Sequence, residues 1–275
     1  MKAKTSAIFS RDPALPGIDF CRVTKSRHHF PDHFHDDIYI VSLILSGHCY
    51  CLGQKRQDTA SGPGSVTLLN PGQIHSGRPA DDRLLDYALC HINIRAMRQM
   101  ARELELYPVQ SPEFSKTLID NPMLSALLNN LFTTLFTSRD SLEKEALLVS
   151  ACHFIFSRYG SGSKPDSSID LRHPPVNRAR EILSNELDQK ITLAEVAGQV
   201  GLSRYHFMRT FKRETGISPH MYRTLKRIEA AKSLLKQKTA PAQVAMETGF
   251  TDQSHFSNTF RRYVGATPGQ YFSEL

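Results

Sequence analysis

Three kinds of hydrophobic pattern follow one another along the chain. From about residue 20 to residue 95 the apolar residues come in short runs broken by turn formers. IYIVSLILSG (38–47) is apolar and β-branched and stops at Gly47; CYCLG follows, then the polar stretch QKRQDTASGPG, then SVTLLNPG. Gly53, Gly62, Pro63, Gly64, Pro71, Gly72, Gly77 and Pro79 keep the punctuation close. Short strands with turn signals at this spacing predict a sandwich or barrel. After about Asn93 the period changes. Between Pro112 and Tyr159, Leu124, Leu127, Leu128, Leu131 and Leu135 recur at helical spacing, and Ala146, Leu147, Ser150, Phe154 and Ile155 suggest a second stripe. Thr137-Ser138-Arg139-Asp140 breaks the two, which predicts an antiparallel helix pair that packs on the β domain or pairs with a second subunit. The run GSGSKPDSSIDLRHPP (160–175) has no periodicity and reads as a linker. The divisions expected are a barrel over 1–105, a helix pair over 106–160, a linker over 161–174 and a helical domain over 175–275.

The last hundred residues repeat themselves. AEVAGQVGLSRYHFMRTFKRETGISPHMY (194–222) parallels AQVAMETGFTDQSHFSNTFRRYVGATPGQY (242–271). Gly201 matches Gly249 at an offset of 48; Phe207/Phe256, Phe211/Phe260, Gly216/Gly265, Pro219/Pro268 and Tyr222/Tyr271 match at 49. Each copy reads helix, glycine-containing turn, helix, over 192–215 and 241–264. In the first, Thr192-x-x-Glu195 is a capping box, with Ile191 and Val196 at the staple positions. Gly201 permits the positive φ of a tight turn, and Ser203 caps a second helix. Phe207 and Phe211, one turn apart, face inward; Arg204, Tyr205, Met208, Arg209 and Lys212 face out. In the second copy Pro241 suits the first helical position, Thr251 or Asp252 caps the second helix, and Phe256 and Phe260 face inward. Gln253, Ser254, His255, Asn258 and Arg261 lie outward or near the cap. Residues 220–236 form one long connecting helix, with Met221, Leu225, Ile228, Ala231 and Leu235 on its buried side.

Charge sharpens this picture. Residues 175–275 hold 15 Lys/Arg and 9 Asp/Glu, a net +6, which leaves +1 of the total +7 for all that precedes them. A basic half with exposed polar helix faces suits a polyanion. With 40% hydrophobic and 22% charged residues the chain is not a disordered one. No apolar run approaches the roughly 18 residues of a membrane span. The first residues lack the apolar core of a secretory signal, so the five cysteines read as reduced cytoplasmic thiols.

Two helix-turn-helix units joined by a stiff helix make physical sense on DNA. A recognition helix reads base edges in the major groove from its exposed N-terminal half, and two of them need a separation near one helical turn, about 34 Å. Residues 175–275 resemble the DNA-binding domain of the AraC/XylS family of bacterial transcription regulators. Ala197, Gly201 and Phe211 match in the first unit, and GFTDQSHFSNTFRRYVGATPGQY (249–271) matches over its whole length. The resemblance implies seven helices and two recognition helices. It places base reading on Tyr205, Met208 and Arg209, then on Gln253, Ser254, His255 and Asn258. Met208 departs from the polar residue usual there and suits a thymine methyl. Phosphate contacts fall to Arg204, Lys212, Arg261 and helix N-termini. Promoter DNA and RNA polymerase are the partners implied, activation the usual mode, and a homodimer is open.

In the N-terminal half, DHFHDDIYIVSLILSG (32–47) followed by GPGSVTLLNPGQIH (62–75) resembles a cupin-like barrel, which the family commonly carries as a sensor. The fold class expected is therefore α+β multidomain: a cupin-like β-barrel with a helix pair, then an all-α double helix-turn-helix domain. His33, His35 and His75 mimic the cupin metal triad, but the usual glutamate is replaced by Tyr39 and Ile40. The three histidines stand as metal ligands, as polar groups of an effector pocket, or as structural residues. A small-molecule pocket formed by His33, His35, Tyr39 and His75 is expected, with no cofactor and no catalytic residue assigned. Cys49-x-Cys51 reads as ordinary strand residues, and Cys90 and Cys152 as core.

Overall fold

The computed structural model describes residues 6–52, 60–80, 83–106, 112–161 and 173–273. Most of the expected linker lies outside the described residues, as does the side chain of Cys51. The chain forms two compact units, one drawn mainly from residues before that linker and one mainly from residues after it.

The first unit is β-rich. Its strands are β1 (Ser6–Arg11), β2 (Ile18–Ser26), β4 (Ile38–Ser46), β5 (Cys49–Leu52), β6 (Val66–Leu69), β7 (His75–Pro79) and β8 (Leu85–Asn93), while the short β3 (Phe30–His33) groups with the second unit. Then come α1 (Ile94–Glu103), β9 (Glu113–Phe114), β10 (Leu118–Ile119), α2 (Pro122–Thr137), α3 (Ser141–Tyr159) and β11 (Gly160–Ser161). One six-stranded sheet runs β1-β2-β8-β4-β6-β10, β5 pairs antiparallel with β7, and β9 pairs with β11.

The alternation along β4 sorts its side chains between two faces. Tyr39, Val41 and Leu43 pair across to Ile92, Cys90 and Ala88. All six join the large core that also holds Leu124, Leu128, Leu131 and Leu135 of α2. Ile40 and Ile44 pair with His91 and Tyr87, and Ile44 packs instead with Cys49, Leu85 and Tyr87. So one face of the sheet carries the helices, and the other carries β5 and the histidine positions.

The helix break falls at 138–140, between α2 and α3, and the α2 stripe is buried much as its spacing suggests. The α3 stripe is not the one expected. Ala146 and Ser150 are exposed, and the buried residues are Lys144, Leu148, Ala151, Cys152, Ile155 and Phe156. The phase shifts because Lys144 points inward, where its ammonium meets Asp12 at 2.7 Å. That hydrogen bond holds the Asp12 carboxyl below its ordinary range. Cys90 and Cys152 are core thiols; burial pushes Cys90 far up and Cys152 up to about 12.

Apart from β3, the second unit's described elements are helices: α4 (Pro174–Ser184), α5 (Leu193–Gln199), α6 (Arg204–Thr215), α7 (Pro219–Lys236), α8 (Pro241–Glu247), α9 (Gln253–Val264) and α10 (Pro268–Ser273). These are seven helices among the described residues. The Thr192–Glu195 capping box forms in full, and Ser203 and Asp252 cap α6 and α9. On α7 the buried face includes Leu225, Ile228, Ala231 and Leu235, with Tyr222 and Arg223 taking the place expected of Met221.

Candidate functional site

The helical unit builds the same scaffold twice. Phe207 and Phe211 are fully buried and meet edge to face at 5.6 Å, and Phe211 meets Tyr222 at 5.5 Å. In the second copy Phe256 meets Phe260 at 5.5 Å, and Phe260 meets Tyr271 at 5.5 Å. Edge-to-face pairs at such distances add to the area they bury. With these rings turned inward, the helix period turns the other face out. Arg204, Tyr205, Met208, Arg209 and Lys212 are exposed on α6; Gln253, Ser254, His255, Asn258 and Arg261 are exposed on α9. Tyr205 is 74% and Met208 47% exposed. Large side chains left in water on one face of α6 suit a partner surface.

Caps set the starts of both helices. Ser203 Oγ accepts from the His206 amide. Asp252 accepts from the His255 amide at 2.7 Å, which holds its carboxyl low. His255 Nδ1 lies 3.0 Å from the Thr251 hydroxyl, which orients that ring at the exposed start of α9.

Sequence reasoning missed the clamp beneath these helices. Arg223 donates through Nη1 to the carbonyls of Leu183 and Asn185, and through Nη2 to those of Glu186 and Gln189 at 2.8 Å. Arg227 Nε donates to the carbonyl of Leu187 at 2.9 Å. The fork of donors on Arg suits several acceptors at once. The loop so held leads into α5, and it also packs against Gly249, the turn residue of the second copy. A backbone acceptor leaves no side-chain pattern, so only the two arginines were visible in advance.

Of the expected pocket histidines, His35 and His75 lie half-buried in the β-rich unit, whereas His33 is buried on β3, which groups with the second unit. The His35 and His75 rings stand 5.4 Å apart, and the His91 ring stands 5.8 Å from His35. Tyr39 is not among them. It is 3% exposed, its hydroxyl donates to the carbonyl of Pro112, and its ring packs on Phe114. It sits on the helix-facing side of β4, and the next residue, Ile40, faces His91 across the strand pair. The polar group opposite the position of the missing glutamate therefore comes from β8. Strand alternation in LCHIN (89–93) was the signal that could have found His91.

Comparison with known proteins now defines the class. The AraC-like ligand binding domain matches residues 15–151 and a helix-turn-helix domain matches 196–274. The chain is 32% identical to YbfI, an HTH-type transcriptional regulator of Bacillus subtilis, over 89% of this chain and 87% of that one. It is 27% identical to the arabinose operon regulatory protein of Escherichia coli, over 85% of this chain and 80% of that one. The fold is also that of ToxT from Vibrio cholerae, solved with an unsaturated fatty acid bound: TM-score 0.58 at 17% identity, over 99% of this chain and 95% of that one. The fold class expected from the sequence is the one found. The chain belongs to the AraC family of transcription regulators, with a ligand-binding domain ahead of a DNA-binding domain. Among the described residues no helix is long and apolar enough to cross a membrane.

Proposed function

We propose that this protein is a cytoplasmic, effector-controlled activator. It reads promoter bases through Tyr205, Met208 and Arg209 in one groove segment, and through Gln253, Ser254, His255 and Asn258 in the next. Arg204, Lys212 and Arg261 grip phosphates. The observation that carries this reading is the duplicated presentation: two helices anchored by equivalent phenylalanines, each with its named residues exposed. A small molecule bound in the β-rich unit, near His35 and His75, shifts the balance between states of different promoter affinity. Met123, Leu142 and Val149 leave α2 and α3 with apolar exposure, 68%, 74% and 43%, which supports a homodimer through that helix pair. Contact with RNA polymerase completes activation.

The test is binding of the purified protein to its own upstream region across a salt series. Wild type should prefer its site over random DNA by about 1,000-fold. Arg209→Ala should cost about 1–3 kcal/mol and relax one base position, whereas Lys212→Ala should weaken all sequences alike and flatten the salt slope by about 1. Equal binding to every sequence in a genomic pool, unaffected by Arg209→Ala, overturns the reading. The effector clause fails if no compound in a reporter screen changes promoter affinity or output.

A further inference from the structure

The face of the six-stranded sheet turned away from the helices is not closed in its middle. Ser42 on β4 pairs across to Thr67 on β6 and to Leu89 on β8, and Thr67 pairs onward to Leu118 on β10. Opposed residues of an antiparallel sheet share a face, so these four stand in one row. Their neighbours Val41 and Cys90, turned to the helices, are each 2% exposed. Ser42, Leu89 and Leu118 are only half-buried, although β4 and β8 are interior strands. Neither leucine belongs to the core under the helices or to the small cluster of Ile44, Cys49 and Leu85. Cys49 of β5 packs on Ile44, further along the same face of β4. The open row therefore lies beside a second layer of the same unit, which suits a small molecule rather than a macromolecule.

Two buried hydroxyls on this side have no hydrogen-bond partner. Val66 and Leu68, on either side of Thr67, join the helix-facing core, so Thr67 points to the open face. It is 6% exposed, and its Oγ1 is unbonded. Ser61 is 5% exposed and sits opposite Cys49, and its Oγ is unbonded as well. A buried hydroxyl left without a partner costs free energy, and native proteins keep few of them. We propose that the row binds a small uncharged molecule with an apolar body and one hydroxyl or carbonyl oxygen, which meets Thr67 Oγ1. Leu89 and Leu118 take the apolar body. β4, β6 and β8 contain no lysine or arginine, so a buried carboxylate or phosphate would lack a counter-charge from this wall. A polyol would leave most of its hydroxyls unbonded against the leucines. The proposal rests on the reading of the β-rich unit as the effector-binding one, and it names the effector's class.

The experiment titrates full-length protein with three probes of one ring size: cyclohexanol, cyclohexanecarboxylate and myo-inositol. Saturation-transfer NMR reads binding, and a thermal melt reads stability. Cyclohexanol should bind in preference to the other two. Thr67→Val keeps the branched shape and removes the unbonded oxygen. It should weaken cyclohexanol by about 3–10-fold and yet raise the thermal midpoint of the free protein by roughly 2–4 °C. A hydroxyl kept only for structure would give the opposite shift. Leu89→Phe should fill the space and abolish binding; if that variant fails to fold, wild type and Thr67→Val decide. Absence of cyclohexanol binding overturns the proposal, as does binding that Thr67→Val leaves unchanged. Preference for the carboxylate or the polyol overturns it too, and so does a lowered midpoint in Thr67→Val. None of these readouts involves DNA, so their failure leaves promoter reading intact. Cyclohexanol binding as expected, in a protein whose promoter affinity no compound changes, would instead break the effector clause alone.

Discussion

The two helix-turn-helix copies agree inside and differ at their edges. Inside, each has a pair of buried phenylalanines and a tyrosine, with ring separations that agree within 0.1 Å. Each scaffold helix also ends on a left-handed glycine, Gly216 or Gly265. At the edges the copies part. The first opens on the Thr192–Glu195 box, whereas the second opens on Ala240, which offers no side-chain cap. Gly201 and Gly249 share a positive φ, 69° and 74°, but their surroundings are opposite. A Cβ at Gly201 would meet nothing within 4 Å; at Gly249 it would come within 2.2 Å of the Leu187 carbonyl oxygen. The shared part is what a recognition helix needs to stand up. The differing part is what fastens the second copy to the rest of the unit.

The strongest way to break the comparison is to empty the matched cores. Phe211→Ala and Phe260→Ala should each cost about 3–5 kcal/mol in urea unfolding; a difference between them of more than half that range would mean the copies are not equivalent inside. The glycines sharpen the contrast at the edges. Gly201→Ala should cost roughly 1–2 kcal/mol, the penalty of left-handed backbone. Gly249→Ala should cost roughly 1–3 kcal/mol more, because backbone must move to admit the methyl. Equal losses would show that the loop packing is soft. Caps come next. Thr192→Ala should destabilise by about 0.5–2 kcal/mol, whereas Ala240→Ser should stabilise by about 0.5–1 kcal/mol; chemical denaturation of both variants reads the opposite signs. The smallest effect is on pH. Hydrogen bonds from Thr192 hold Glu195 below the ordinary carboxylate range, and the His255 amide does the same for Asp252. A depressed carboxylate contributes stability that is present above its unfolded value and lost as the pH falls through its folded one. The stability advantage of wild type over Glu195→Gln or Asp252→Asn should therefore shrink on acidification through and below that range, and a constant advantage would deny the caps their charge.

What was legible in advance follows from the same contrast. The repeat wrote its inward phenylalanines, its turn glycines and its outward polar faces directly into the sequence, since each is a choice of side chain. The short strands and the break at 138–140 were legible for the same reason. Three features were not. The phase of α3 was misread because Lys144 is polar in type but inward in fact, its charge met by an aspartate 132 residues away. Tyr39 was assigned to the pocket because it neighbours the histidines in sequence, yet strand alternation sends it to the other face of β4. The Arg223 and Arg227 contacts end on peptide carbonyls, which every residue carries, so no spacing announces them.

Those contacts bear on how binding sites for this protein can change over time. Two guanidinium groups hold five carbonyls at the end of α4 and in the loop that packs against Gly249, which fastens the second helix-turn-helix copy to the helices before it. One base pair inserted between the two segments turns the far one by roughly 35° around the duplex axis. If both helices engage bases as proposed, a mount of this kind resists that rotation. On the proposed reading, target sequences drift by substitution, where each mismatch is a graded loss, more readily than by insertion or deletion, which turns one recognition helix away from its groove.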